Sequence, residues 1–358
     1  MSNKTFCPHG MPPLLCLKCQ QQRAEPTPQA PSWNKASPLL AQVPVTQARP
    51  QQAQAAAGSG FDITQIPAVM DKLGAVQGPR FMRRWFNGPA FELPMDFKTG
   101  RKDARLLDKA HRLEDLPFEW LEKSKRVGPT VKSVVEELSD VYEFNGRVGR
   151  LKNALDQLSP GLIVLMERLE ALGLLHAKQG RLKDGSRSFG DLSALDLDYT
   201  AQFNRVDVGT SFVEKAFDDL DDVYFALGSF SLKLAATQLR TYSDHHGYPA
   251  IEISELGLYV RDTYDFLNKK GEDQLLGYWN DSGVKKPDPV EYFSEPKSIT
   301  RAGKSYFKVT NGSFNEHRRR TGKGGDFLAF STVKHVPVSI LVHLGSIDFD
   351  EYLGRKSK

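Results

Sequence analysis

Five consecutive residues, Arg261-Asp262-Thr263-Tyr264-Asp265, put two carboxylates, a phenol and a guanidinium at the end of an apolar row. Ile251, Ile253, Leu256, Leu258 and Val260 nearly alternate, with one phase change at Glu255-Leu256, and so predict a strand ending at this corner. A rigid strand followed by a solvated loop holds aspartates in fixed places, as a metal or phosphate site requires. Turns also collect aspartate for their own hydrogen bonding, so the corner has an ordinary structural reading as well.

Two further polar groupings follow. Asn311 to Arg320 reads NGSFNEHRRR and carries Glu316, His317 and the arginines Arg318, Arg319 and Arg320. Gly322-Lys323-Gly324-Gly325-Asp326 is a glycine-rich turn before an apolar run. Glycines let backbone amides approach an anion, although the Gly-Lys-Ser/Thr of a nucleotide-binding loop is missing. A basic surface loop and a hairpin turn would use the same residues. Together the three groupings suit a phosphate ester or pyrophosphate. Carboxylates such as Asp262 and Asp265 hold Mg²⁺, Arg318 neutralises developing charge, and His317 moves a proton. A nuclease would need the same groups.

A different chemistry stands at the start. Cys7, His9, Cys16 and Cys19 are three thiols and one imidazole within thirteen residues, a complete tetrahedral set for a structural Zn²⁺. A segment this short cannot build a core, so the metal would supply its folding energy. A tail with reduced cysteines is the plainer alternative. No cysteine occurs after Cys19, which excludes a disulfide framework for the rest of the chain.

The elements that must position these groups fall into four stretches. Residues 1–20 are the Cys/His tail, and 21–60 are a Pro-, Gln- and Ala-rich linker. Residues 61–190 are mainly helical. Ile66, Val69, Met70 and Leu73 take helical spacing, as do Phe81, Met82, Trp85 and Phe86 beside Arg80, Arg83 and Arg84. Residues 98–126 read as a solvated, mixed-charge helical face. Ser159-Pro160 opens an apolar helix expected to be central. Residues 191–358 are β-rich, with short strands joined by Gly, Asn, Asp and Pro turns, from ALDLDYTAQF to VPVSILVHL. The acidic run Asp218, Asp219, Asp221, Asp222 reads as the first turn of a helix. The expected fold is α+β: a helical half packed on an antiparallel, partly barrel-like β domain.

With 358 residues and a net charge of +4, the chain is too weakly basic for a dedicated nucleic-acid binder. It has no apolar run of membrane-spanning length and no apolar core of signal-peptide length near the start. The producing cell's cytoplasm is the expected location, with export left to a specialised system.

The block FALGSFSLKLAATQLR, ISELGLYVRDTYDF and QLLGYWN, with NGSFNEHRRRTGKGGDFLAFS downstream, resembles an uncharacterised bacterial domain family associated with Gram-negative toxins and type VI secretion. The likeness spans roughly residues 61 to 350. The Asp262-Thr263-Tyr264-Asp265 corner is also similar to the Asp-x-Tyr-Asp signature of colicin M-type catalytic domains. Those are β-rich, Mg²⁺-dependent enzymes that cleave lipid II, the lipid-linked pyrophosphate precursor of peptidoglycan. That pattern continues with His-Arg, where this chain has Leu267-Asn268-Lys269-Lys270-Gly271. Asp262, Tyr264 and Asp265 alone carry over, and His317-Arg318 could supply the missing pair from another loop.

Three functions follow. The first is an antibacterial effector hydrolysing a phosphate or pyrophosphate bond, delivered to a target periplasm and matched by an immunity protein. The second is a non-enzymatic adaptor of a secretion apparatus, docking through its Zn²⁺ tail. The third is a nuclease toxin using Arg318 to Arg320.

Overall fold

The computed structural model describes residues 61–125, 127–138, 158–208, 220–268 and 272–357. The chain divides into compact units between Ala56 and Ala57, and all of these residues belong to the second. Cys7, His9, Cys16, Cys19 and the linker lie outside the described residues, as do Asp218 and Asp219.

The fold is α+β, built on a sheet curled into a half-barrel. Strands in chain order are β1 (Arg112–Leu116), the short β2 (Leu175–His176) and β3 (Arg181–Leu182), β4 (Gly185–Ser188), β5 (Gln202–Val208), β6 (Phe230–Ser243) and β7 (Pro249–Tyr264). They continue with β8 (Leu275–Asn280), β9 (Gly283–Lys285), β10 (Ser298–Arg301), β11 (Lys304–Thr310), β12 (Phe327–Ser331) and β13 (Lys334–His343). The main sheet runs β1-β12-β7-β6-β4, with β13 also on β7 and β5 also on β6. β8 to β11 make a separate four-stranded antiparallel sheet.

The β6–β7 hairpin is the spine. Its turn is closed by Asp244, whose Oδ1 accepts from the amides of His246 (2.8 Å) and Tyr248 (2.9 Å). Both strands are long enough to serve two partners on their outer edges. β7 pairs with β13 through Ala250 to Leu258 and with β12 through Arg261 to Tyr264. The ladders of β7 with β13 and with β6 shift register between Ile253 and Leu256. A register shift moves side chains to the other face, which is the physical origin of the phase change at Glu255-Leu256.

Beyond that shift β7 is covered on both faces. Leu256, Leu258, Val260 and Tyr264 enter the main core, while Tyr259 faces a second cluster with Leu93, Phe97, Leu195, Leu197, Leu328 and Phe330. Gly257 is obligatory here, because a Cβ would lie 2.8 Å from Thr237 Cγ2 and 3.0 Å from Val333 Cγ1.

The helix Pro160–Ala171 begins as expected. Ser159 Oγ accepts from Leu162 N at 3.1 Å, Pro160 opens the first turn, and Leu162, Leu165, Met166 and Leu169 are buried on one stripe. The helix Gln77–Asn87 buries Phe81, Met82 and Trp85, and Arg84 donates to the carbonyls of Ala110 and Arg112, both at 2.8 Å.

Several elements differ from the sequence reading. β1 comes from the charged 98–126 stretch and pairs parallel to β12, so the sheet is not purely antiparallel. β4 likewise arises before residue 191. Ala194–Thr200 is a helix capped by Ser193, not a strand. NGSFNEHRRR is no loop: Asn311–Thr321 is a helix capped by Thr310, which accepts from Ser313 N. The acidic run does start a helix. Asp221 caps Tyr224 N at 2.7 Å, and Asp222 accepts from Gln77 N (2.9 Å), Gly78 N (2.7 Å) and Trp120 Nε1 (2.9 Å).

Candidate functional site

β7 continues through Asp262 and ends at Tyr264, so the strand–loop junction falls at Asp265. Tyr264 pairs with Phe327 of β12 and their rings stack at 5.0 Å. One residue outward on each strand stand Asp265 and Asp326, and a single ammonium serves both. Lys98 Nζ lies 2.9 Å from Asp265 Oδ2 and 3.7 Å from Asp326 Oδ2, with 9% of its side chain exposed.

Asp326 is 1% exposed and is the most heavily engaged group of the cluster. It accepts from Trp85 Nε1 (3.1 Å) and Leu93 N (3.2 Å), and pairs with Arg318. Burial pushes its carboxyl up, against the pull of Trp85, Arg318 and Leu93. Arg318 also lies over the Trp85 ring, 5.2 Å from its centroid.

Arg261 holds the other side of Lys98. Its guanidinium donates to the carbonyls of Phe97 and Lys98 and pairs with Asp198 at 3.1 Å. Tyr259 donates to the same carboxylate at 3.0 Å. The short helix Met95–Lys98 is thus clamped so that its last side chain reaches Asp265.

Asp262 shares a strand face with Tyr264 by alternation. It keeps part of its surface, yet protein encloses the carboxyl, and burial pushes it well above the usual carboxylate range. The charge of Asp265 adds to that, while a hydrogen bond from Thr263 opposes it. The pair therefore has an asymmetry useful for proton transfer: burial favours the protonated form of one acid, and the other is ion-paired.

Tyr264 is a core residue. Its hydroxyl meets Met82 Sδ at 3.5 Å and its ring packs on Phe81, Phe266 and Phe327. Burial raises the phenol far beyond its ordinary value.

His317 and Arg318 diverge. Arg318 joins the Asp326 cluster, whereas His317 packs its ring 5.0 Å from Phe86 and 6.2 Å from Trp85. The charges that act on His317 are Arg320, Asp62 and Lys323, and neither Asp262 nor Asp265 is among them. Arg319 is spent on Glu316 at 2.6 Å.

The glycine turn has no amide to spare for an anion. Gly322, Lys323, Gly324, Gly325 and Asp326 donate their N–H groups to Arg318 O, Thr321 Oγ1, Gly88 O, Trp85 O and Phe91 O. Its glycines serve close packing instead. Gly324 has φ 113°, and a Cβ there would lie 2.5 Å from Trp85 Cη2.

A family model matches residues 61–343, a span that encloses every residue of this cluster. The chain belongs to DUF6402, a family of unknown function. No curated protein and no solved structure matches the DUF6402 chain. The Cys/His tail lies outside the matched DUF6402 span. Membership brings no activity with it, so the cluster must be read from its own chemistry.

Lys98 escaped the sequence reading, Trp85 entered it only as a position at helical spacing, and Asp326 only as the end of the glycine turn. Lys98 sits in a charged stretch with nothing local to mark it as buried. A lone aspartate after two glycines and before an apolar strand is the one signal that pointed at Asp326.

Proposed function

We propose that this chain is an effector enzyme that hydrolyses a phosphate or pyrophosphate bond, with a lipid-linked precursor such as lipid II as its substrate class. The observation that carries the reading is the Asp262–Asp265 pair, with Lys98 and Arg318 supplying positive charge beside it. Burial favours the protonated form of Asp262, which suits the role of general acid toward a leaving oxygen. Asp265, ion-paired to Lys98, suits orientation or deprotonation of the attacking water. Arg261 positions Lys98 through the Phe97 and Lys98 carbonyls.

Mg²⁺ fits this arrangement poorly. Asp265 Oδ1 accepts from Leu267 N at 3.1 Å, Oδ2 faces Lys98, and burial of Asp262 works against its charged form. Among the described residues no group of three His, Cys, Asp or Glu side chains gathers as a metal site. The proposal therefore assigns the cation's electrostatic role to Lys98 and Arg318.

Purified full-length protein incubated with a polyprenyl-pyrophosphate-linked sugar should release a phosphorylated headgroup, also in the presence of a chelator. Asp262→Asn should abolish release while leaving the protein folded. Equal turnover by that variant would remove the assignment, and strict Mg²⁺ dependence would remove the assignment of the cation role to Lys98.

One observation favours the adaptor reading instead. The Pro289–Ser294 helix leaves Phe293 83% exposed and Val290 75% exposed, an apolar pair suited to a protein partner such as a secretion component. The nuclease reading has less support, since Arg319, in the middle of its basic run, is neutralised by Glu316.

A further inference from the structure

A cavity of about 380 Å³ opens beside His317, at the meeting of the helices Ile66–Lys72, Gln77–Asn87 and Asn311–Thr321. Pro67, Ala68 and Phe86 give it an apolar floor, and Thr64, Asn87, His317 and Lys323 bring polar groups to its walls. That mixture, mostly apolar with a few converging polar groups, characterises small-molecule sites.

His317 is the unusual member. It is 8% exposed and its Nδ1 is enclosed with no hydrogen-bond partner. An enclosed nitrogen without a partner is costly, and the part of the ring that stays exposed lines the cavity. The surrounding charge is unbalanced. Arg83, on the cavity wall, is neutralised by Asp71. Arg320 and Lys323 act on His317 together with Asp62, and neither cation forms an ion pair among the described residues. Two cations against one carboxylate leave a positive surplus around His317.

We propose that this cavity is a binding site for a small organic anion, with its phosphate or carboxylate head on His317 and Lys323 and its apolar body on Phe86, Pro67 and Ala68. The site is distinct from the Asp262–Asp265 pair, neither member of which lines the cavity. It needs no chemistry from that pair, so it stands whether or not the chain is a hydrolase. It also explains the divergence of two adjacent side chains on one helix. Arg318 is used to fasten Asp326, and His317 is left facing the cavity.

Burial holds the imidazole below its ordinary pKa, helped by Arg320 and Lys323 and opposed by Asp62. An anion in contact would favour the protonated ring. Binding and protonation are therefore coupled: the ligand should raise the His317 pKa, and its affinity should rise as pH falls through that value. Arg83 with Asp71, Arg320, Lys323 and Asp62 are the other charged groups facing the ring.

The test is calorimetric titration of the full chain with phenyl phosphate, benzoate and inorganic phosphate, paired with NMR titration of the His317 ring. One phenyl phosphate or benzoate should bind per chain, and the preferred head identifies the ligand's class. Inorganic phosphate, lacking the apolar body, should bind about tenfold more weakly or less. Lys323→Ala should weaken binding about tenfold, and Ala68→Trp, a change at an exposed position, should fill the cavity and abolish it. Asp262→Asn should bind as the parent does, and the His317 resonance should titrate at higher pH with ligand than without. No saturable binding of either aromatic anion up to about 10 mM, tenfold above a millimolar Kd, would overturn the proposal. So would binding that survives both Lys323→Ala and Ala68→Trp, or a His317 titration that the ligand does not move. Should Ala68→Trp fail to fold, the exposed Lys323→Ala and the His317 titration still decide.

Discussion

Removing the Asp326 carboxylate leaves Arg318 buried without its counter-charge and Trp85 Nε1 and Leu93 N without an acceptor. Breaking a buried pair by deleting one partner costs about 3–5 kcal/mol, so Asp326→Ala should lower urea-unfolding stability by that order. A change within about 0.5 kcal/mol, the usual range for surface substitutions, would show that the cluster fastens nothing. Asp262 behaves oppositely. Its folded-state pKa is raised, so the folded chain holds a proton that the unfolded chain has already lost. Stability from this residue is therefore full below the unfolded value of about 3.9 and declines as pH rises toward the folded value. Asp262→Asn should stabilise the protein more at pH 7 than at pH 4, read as the difference in unfolding free energy at the two pH values. Equal gains at both, or a loss at pH 7 alone, would contradict the raised pKa. Of these residues Asp262, Asp265 and Arg318 stood out in the sequence by their types and spacing. Lys98 did not, because its burial is made by Arg261 and two carboxylates distant in sequence.

Elements were legible where local signals agreed. Ser159-Pro160 and the stripe Leu162, Leu165, Met166 and Leu169 gave one consistent helix. Leu165→Ala should cost about 2–5 kcal/mol there, as buried leucine truncations do, and a change below 1 kcal/mol would deny that helix its central place. The Asn311–Thr321 helix gave no such signal. Its buried residues are Asn311, Phe314 and His317, so one hydrophobe carries the inward face and the rest reads as a charged loop. Ala194–Thr200 misled for another reason: short apolar runs do not separate helix from strand by period alone. The glycine turn was legible as a turn but not in its purpose. Gly324→Ala should destabilise through the left-handed backbone and the Trp85 contact together. A variant as stable as the parent would mean that Trp85 can move aside.

At the scale of the molecule the α+β class was legible, and the way its halves join was not. β1 enters the sheet parallel to β12 from more than two hundred residues earlier in the chain, and β4 adds a second strand from before residue 191. Long-range pairing leaves no trace in a window of sequence. The consequence is that the cluster depends on both halves: Trp85 and Lys98 from the first, Asp265, Arg318 and Asp326 from the second. The family match over residues 61–343 covers this assembly and omits the Cys/His tail. A chain lacking residues 1–60 should therefore keep whatever activity the cluster has. The most direct measurement is growth of bacteria expressing the protein in the cytoplasm or, behind an export signal, in the periplasm, with parent and Asp262→Ala side by side. The hydrolase reading predicts killing from the periplasm alone, lost in Asp262→Ala at equal expression. Killing that persists in the variant, or occurs only from the cytoplasm, would contradict it.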